Sequence, residues 1–334
     1  MRAILRQHLQ KLPGMKTVYR WVHILTVPEH LREVDIVREW AERNIQFARK
    51  YNLAKFSFSA QGASVTGADG LEYGYDVQDS NFPGGIYFYH YGRTNEKQEL
   101  QLALDNIPPG GAVFDIGANI GVYSMNIASR IEGVTVHAFE PVHRTWESLK
   151  NNVARNQLSD RVHCNKMAMA DTPGEVKMTS ALSGANFVIT PNSLQPSKDT
   201  MYEAAQATTV DTYVRDRGVP HLDFIKCDVE GLELSVFKGA TESLRIHKPH
   251  ILVEIIESLT RRQNYSPIDL INYLESFGYE LVTSIYRDKF YPPVAGLPIT
   301  EQLHSGVFNR DQNGIRANFF FSHKSKSPKF LRPE

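Results

Sequence analysis

Cysteine is nearly absent from this chain: Cys164 and Cys227 are the only two in 334 residues. Two thiols cannot staple a fold of this size or build a cysteine-rich zinc site, so those classes are excluded and a reducing cytoplasm is the simplest compartment. Net charge is absent too. Lys+Arg and Asp+Glu each number 37, which removes any bulk electrostatic case for nucleic acid as a partner. No apolar run is long enough to span a bilayer, and no signal-peptide core is present. The dinucleotide fingerprint G-x-G-x-x-G is missing from the main glycine turn, which disfavours an NAD-linked oxidoreductase. What remains is an ordinary globular composition, 42% hydrophobic and 22% charged, with enough chain for one large or two modest domains.

The most informative stretch is 112–124. Ala112, Val113, Phe114 and Ile116 form a short apolar run, the pattern of a strand buried on both faces. Gly117 and Gly121 follow, and then Val122, Tyr123, Ile127 and Ala128 at helical spacing. The reading is strand, glycine turn, helix, with free backbone N–H groups at the helix start. The spacing is Asp115-x-Gly117-x-x-x-Gly121, with an acid at the strand end. An acid there repels phosphate and attracts a cation or an amine. S-adenosylmethionine (SAM) has an ammonium, a sulfonium and a ribose diol, and no phosphate. A second strand, Val134 to Phe139, leads to Glu140-Pro141. A carboxylate there is where a nucleoside-binding βαβ unit clamps the ribose, because it accepts two neighbouring hydroxyl hydrogens.

Along the rest of the chain, residues 1–28 carry five basic residues and no acid, with apolar positions that suggest two short amphipathic helices. They suit packing on the body of the protein, or else peripheral contact with an anionic membrane or a partner. Pro28 to Tyr51 reads as a charged helix, and residues 52–92 as hairpin material. The aromatic run Ile86 to Tyr91 reads as a strand, in sheet core or beside a pocket. After Glu140 come a helix from Arg144 to Asn156 and a strand at Val162 to Asn165. At its tip, Met167 and Ala168 are placed to flank an adenine ring, or simply to pack a loop. Thr190 to Thr200 reads as a loop. In Leu222 to Gly231 a short strand presents Lys226, Asp228 and Glu230 at alternating positions, which puts the three on one face. Charges on a buried strand need a use, unless they form a self-contained ion-pair cluster. Glu233 to Leu244 reads as one helix, and His250 to Ile255 as a strand with Glu254 at its tip. Tyr279 to Ser284 and Ala317 to Ser322 are expected as closing strands, and the basic segment after His323 as a loose tail.

Strands alternating with helices imply a doubly wound α/β fold. The motifs V-F-D-I-G-A-N-I-G-V-Y-S at 113–124, H-A-F-E-P at 137–141, D-F-I-K-C-D-V-E-G-L-E at 223–233 and P-H-I-L-V-E-I at 249–255 together resemble the FkbM-type family of class I SAM-dependent methyltransferases. The resemblance covers roughly residues 95–285. It implies a Rossmann-like, mostly parallel seven-stranded sheet with an antiparallel closing strand. It also implies SAM as methyl donor and a hydroxyl acceptor on a small molecule or glycan, such as a sugar or polyketide. Cofactor roles are implied for Asp115, Gly117, Asn119, Gly121 and Glu140, with Tyr123 and Pro141 in the same motifs and Met167 and Ala168 at the adenine. Asp228 is implied in the active site, with Lys226, Glu230 and Glu254 as further catalytic candidates and His250 as a reserve base; Asp228 also suits the methionine end of SAM. A divalent ion at Asp228, Glu230 and Glu254 is chemically admissible but not the favoured reading. The expected division is an N-terminal extension of helices and a hairpin at 1–94, which shapes the acceptor site or an interface, a catalytic domain at 95–323 and a basic tail at 324–334. The rival to an enzyme is a non-catalytic scaffold of the same fold that binds a partner through its basic N-terminus.

Overall fold

A computed structural model describes residues 53–59, 62–67, 70–75, 96–179, 202–287, 289–297, 299–305, 310–311 and 314–329. The expected helices before residue 52, the aromatic run at 86–91 and the loop at 190–200 lie outside the described residues. The chain divides into two units, Met1–Thr94 and Asn95–Glu334. In the first, β1 (Leu53–Ser59), β2 (Gly62–Gly67) and β3 (Glu72–Tyr75) form an antiparallel meander. Phe56 pairs with Val65 and Val65 with Tyr73, so the alternating apolar positions fall in register.

The second unit opens with α1 (Lys97–Asn106). It then alternates through β4 (Ala112–Ile116), α2 (Val122–Arg130), β5 (Thr135–Phe139), α3 (His143–Arg155) and β6 (Val162–Asn165). All five residues of β4 are buried, as a strand covered on both faces requires. A small second sheet follows that the sequence did not suggest: β7 (Ala168–Met169), β8 (Gly174–Thr179) and β9 (Tyr202–Thr208), in the order β7-β9-β8. Its strands are short and interrupted by a long excursion, so no local periodicity marks them as partners.

Next come α4 (Val210–Arg217), β10 (Phe224–Cys227), α5 (Glu233–Lys238), α6 (Thr241–Ile246) and β11 (His250–Ile256). The single helix expected from Glu233 to Leu244 is therefore two. The break falls at Gly239, where a Cβ would lie 2.1 Å from the Ala170 carbonyl oxygen, so the helix yields to an approaching backbone. The remaining elements are α7 (Glu257–Thr260), α8 (Pro267–Ser276), β12 (Tyr279–Tyr286), β13 (Lys289–Tyr291), α9 (Ile299–Ser305), β14 (Arg310–Asp311) and β15 (Gly314–His323).

The main sheet has the order β13-β12-β15-β11-β10-β4-β5-β6, with β14 paired to β15. Strands β6, β5, β4, β10 and β11 run parallel, and β15 is antiparallel to both β11 and β12. Chain order reverses between β4 and β10, which makes the ends of those strands the crevice where open α/β sheets hold ligands. One face of the sheet packs Phe114, Ile225, Ile251, Val253, Phe319 and Phe321 against α5 and α8. The tail expected to be loose is docked as far as Lys329. Its N–H donates to Asn106 Oδ1 at 2.8 Å, and Asn106 Nδ2 donates to its carbonyl at 2.9 Å.

Candidate functional site

Gly117 leaves β4 at φ +80°, and a Cβ there would stand 1.8 Å from the Asp228 carbonyl oxygen. The two loops at the reversal point touch at that position, which only glycine permits. The N–H groups of Gly117 and Ala118 both donate to the Phe139 carbonyl at 3.0 Å. Gly121 caps α2 at φ +94°, and a Cβ on it would meet Leu149 of α3 at 2.6 Å. Both glycines thus serve close packing of the loops and helices around the crevice.

Glu140, just past β5, is 7% exposed. Oε2 accepts the Asn119 N–H and Oε1 the Val142 N–H, both at 3.1 Å. Burial pushes its carboxyl up to about 7, against those two bonds. Each oxygen retains acceptor capacity for a further donor. Asn119 sits at φ +50°, and its side-chain Oδ1 is buried without a hydrogen-bond partner. Both residues line one cleft. Gly117, Pro141 and Phe139 also line it, and Met167, Ala168, Met169 and Met178 supply apolar lining. Met169 and Met178 come from the small second sheet.

The loop after β10 adds Asp228, Val229, Glu230 and Leu232 to the lining. The alternation expected of Lys226, Asp228 and Glu230 does not persist, because β10 ends at Cys227 and Glu230 turns left-handed at φ +56°. Lys226 and Asp228 nevertheless meet, with Nζ donating to Oδ2 at 3.1 Å. Lys226 also stands beside Asp115 in the strand register and lies 5.2 Å from the Tyr123 ring centroid. Burial opposes its charge, but Asp228 and Asp115 outweigh that and hold the ammonium above its ordinary range. Glu254, near the end of β11, hydrogen-bonds Asp228. Burial first, and then the Asp228 charge and that bond, hold Glu254 well above the usual carboxylate range. Arg316 of β15 approaches Glu254 at 3.8 Å. Burial, then Asp228 and Glu233, push Glu230 up to about 7.

Of the residues singled out in the sequence, Gly117, Asn119, Glu140, Pro141, Met167, Ala168, Asp228 and Glu230 line the cleft. Asp115, Gly121, Tyr123, Lys226 and Glu254 are not among the residues that line it. Asp115 is 1% exposed and spends Oδ2 on the N–H and hydroxyl of Ser124 in α2, at 3.1 and 2.6 Å. Burial raises its carboxyl above the ordinary range, against the pull of Lys226. His250 fails as a base beside the cleft. It starts β11 at the far end of the sheet, stacks on Phe320, and burial pushes its imidazole down to about 4. Among the described residues no group of three or more His, Cys, Asp or Glu side chains is arranged to hold a metal. Sequence reasoning missed Met178, which has no local signal. It also gave no role to Glu233, whose buried carboxylate takes the N–H groups of Val229 and Gly231.

The strand order, the antiparallel β15 and a cleft at the β4/β10 reversal define a Rossmann-like class I methyltransferase fold. Residues 115–281, half of the chain, match the methyltransferase FkbM domain, and the chain belongs to that family. It is 41% identical over 71 residues to 31-O-demethyl-FK506 methyltransferase FkbM of Streptomyces tacrolimicus, a match covering 21% of this chain and 26% of that protein. It is 27% identical over 170 residues to methyltransferase sdnD of Sordaria araneosa, covering 42% and 64%. Hexuronic acid methyltransferase AglP of Haloferax volcanii is 26% identical over 153 residues, covering 45% and 58%. The chain thus spans between about a quarter and under two-thirds of the length of these relatives. The crystal structure of methyltransferase FkbM from Methylobacillus flagellatus aligns with a TM-score of 0.41 and 18% identity, over 63% of this chain and 43% of that one.

Proposed function

We propose that this protein is a SAM-dependent methyltransferase that methylates a hydroxyl oxygen of a small molecule or glycan. The observation that carries the cofactor is Glu140, a buried carboxyl at the end of β5 that faces the cleft with acceptor capacity on both oxygens. A ribose diol supplies the two donors it lacks. The partnerless Asn119 Oδ1 fits a second donor, and the methionine lining fits a flat aromatic base. These acceptors, with the acidic Asp228 and Glu230 also lining the cleft, suit a nucleoside without phosphate that carries a cationic side arm.

SAM, when bound, supplies an activated methyl group and its own leaving group. The protein's task is to orient the acceptor oxygen and receive its proton. Asp228 is our candidate for the group that receives it: it lines the cleft, Lys226 holds one of its oxygens, and Glu254 hydrogen-bonds it. Support for an oxygen acceptor comes from the name of one relative, a 31-O-demethyl-FK506 methyltransferase, and support for a sugar acceptor from that of another, a hexuronic acid methyltransferase.

Titration calorimetry with SAM tests the cofactor, with a dissociation constant expected on the order of 1–100 μM. NAD should give no heat of binding. Transfer of a labelled methyl from SAM to a panel of hydroxylated sugars and polyketides tests the reaction. Absence of SAM binding by a folded chain would sink the proposal.

A further inference from the structure

The segment Asp228 to Leu232 contributes to the lining of the cleft, and its backbone is unfavourable by itself. Glu230 sits at φ +56° and Gly231 at +102°. A left-handed non-glycine residue crowds its Cβ against the following carbonyl, so something must hold it there. Glu233, the first residue of α5, turns its carboxylate back on the segment. Oε1 accepts the N–H of Val229 at 3.3 Å and that of Gly231 at 2.9 Å, the two amides flanking Glu230. Oε2 accepts the Tyr265 hydroxyl at 2.8 Å. Glu233 is 2% exposed, so water scarcely competes for these bonds. Tyr265 arrives from beyond β11 and α7, the same region that crowds the segment at Gly231, where a Cβ would lie 2.9 Å from the Leu259 carbonyl oxygen.

We infer that Glu233 and Tyr265 act together as positioning residues for the cleft. Tyr265 orients the Glu233 carboxylate, and that carboxylate fixes the amides on either side of Glu230 so that Asp228 and Glu230 face the ligand. This rests on the SAM-binding reading of the cleft. Neither residue lines the cleft, so neither touches a reacting group.

Three variants of the full chain test it: Tyr265→Phe removes one donor, Glu233→Ala removes the acceptor, and Glu233→Gln keeps an oxygen for the two amides. Hydrogen–deuterium exchange in the peptide covering 228–233 is expected to quicken about tenfold in Tyr265→Phe and more in Glu233→Ala, as loss of a hydrogen bond to a charged group implies. Glu233→Gln should return it to within about threefold of wild type, which a general loss of packing would not allow. Affinity for SAM should follow, about three- to tenfold weaker in Tyr265→Phe and restored in Glu233→Gln relative to Glu233→Ala. Exchange unchanged in Tyr265→Phe overturns the proposal, and so does faster exchange with unaltered SAM affinity, or Glu233→Gln behaving like Glu233→Ala. Should Glu233→Ala not fold, Tyr265→Phe and Glu233→Gln decide between them. Wild type that binds no SAM defeats the reading of the cleft instead, and the exchange data still report whether the brace exists.

Discussion

Glu140 is a carboxyl that folding places under tension. Burial raises it from 4.5 to about 7, so the folded chain holds a proton there that the unfolded chain has released. Its stabilising contribution is complete below about 4.5 and is lost as pH rises through about 7. Glu140→Gln should therefore raise the melting temperature of the ligand-free chain at pH 8 and leave it near wild type at pH 4. Hydroxyl donors prefer the ionised form, so SAM affinity in the wild type should fall as pH drops from 8 to 6. Glu140→Ala should weaken SAM by about 1.5–3 kcal/mol in calorimetry, and wild-type affinity in that variant would refute the ribose role. Asp228 is tested separately. Asp228→Asn keeps size and removes charge, and should cut methyl transfer by about 10²–10⁴-fold while SAM affinity holds. A joint fall of rate and affinity would move Asp228 to the cofactor site. Glu140 was legible in the sequence because a strand-end acid is a local feature. The raised carboxyl of Glu254 was not, because it depends on burial and on Asp228, which the loop after a different strand brings to it.

At the scale of elements, the glycine turn was read as access for a ligand, and the structure adds a second reason for it. Gly117→Ala should be severely destabilising, since the new Cβ meets backbone and not a side chain that can swing away. Gly110, also left-handed at φ +72° but with nothing within 4 Å of its virtual Cβ, is the matched control. Gly110→Ala should cost about 1–2 kcal/mol, and Gly117→Ala several times more, both read from thermal or urea unfolding. Equal losses would mean that the Asp228 contact is soft. The split of the expected helix at Gly239 has the same origin, a backbone arriving from Ala170. Periodicity reports which side of a segment is apolar; it does not report which distant backbone will press on it.

Over the whole molecule, every described residue lining the cleft lies in the unit that begins at Asn95. A chain starting there should bind SAM within about threefold of the full-length affinity, a difference well under the 1.4 kcal/mol of a tenfold change. Loss of binding by a folded truncation would mean that residues 1–94 contribute to the cofactor site. The sequence by itself determined the alternating strands and helices, the glycine turn after β4 and the acids at the strand ends, because each depends on neighbours a few residues apart. Only the tertiary structure decided which charges meet. The reversal of strand order at β4 and β10 sets Asp115 beside Lys226, and the next strand over brings Glu254 to Asp228. It also decided that Glu230 sits beyond the strand in a left-handed turn beside Glu233 and Tyr265, and that methionines from a separate sheet line the cleft. Those contacts join segments tens to hundreds of residues apart, and the burial that shifts their protons exists only once the sheet has assembled.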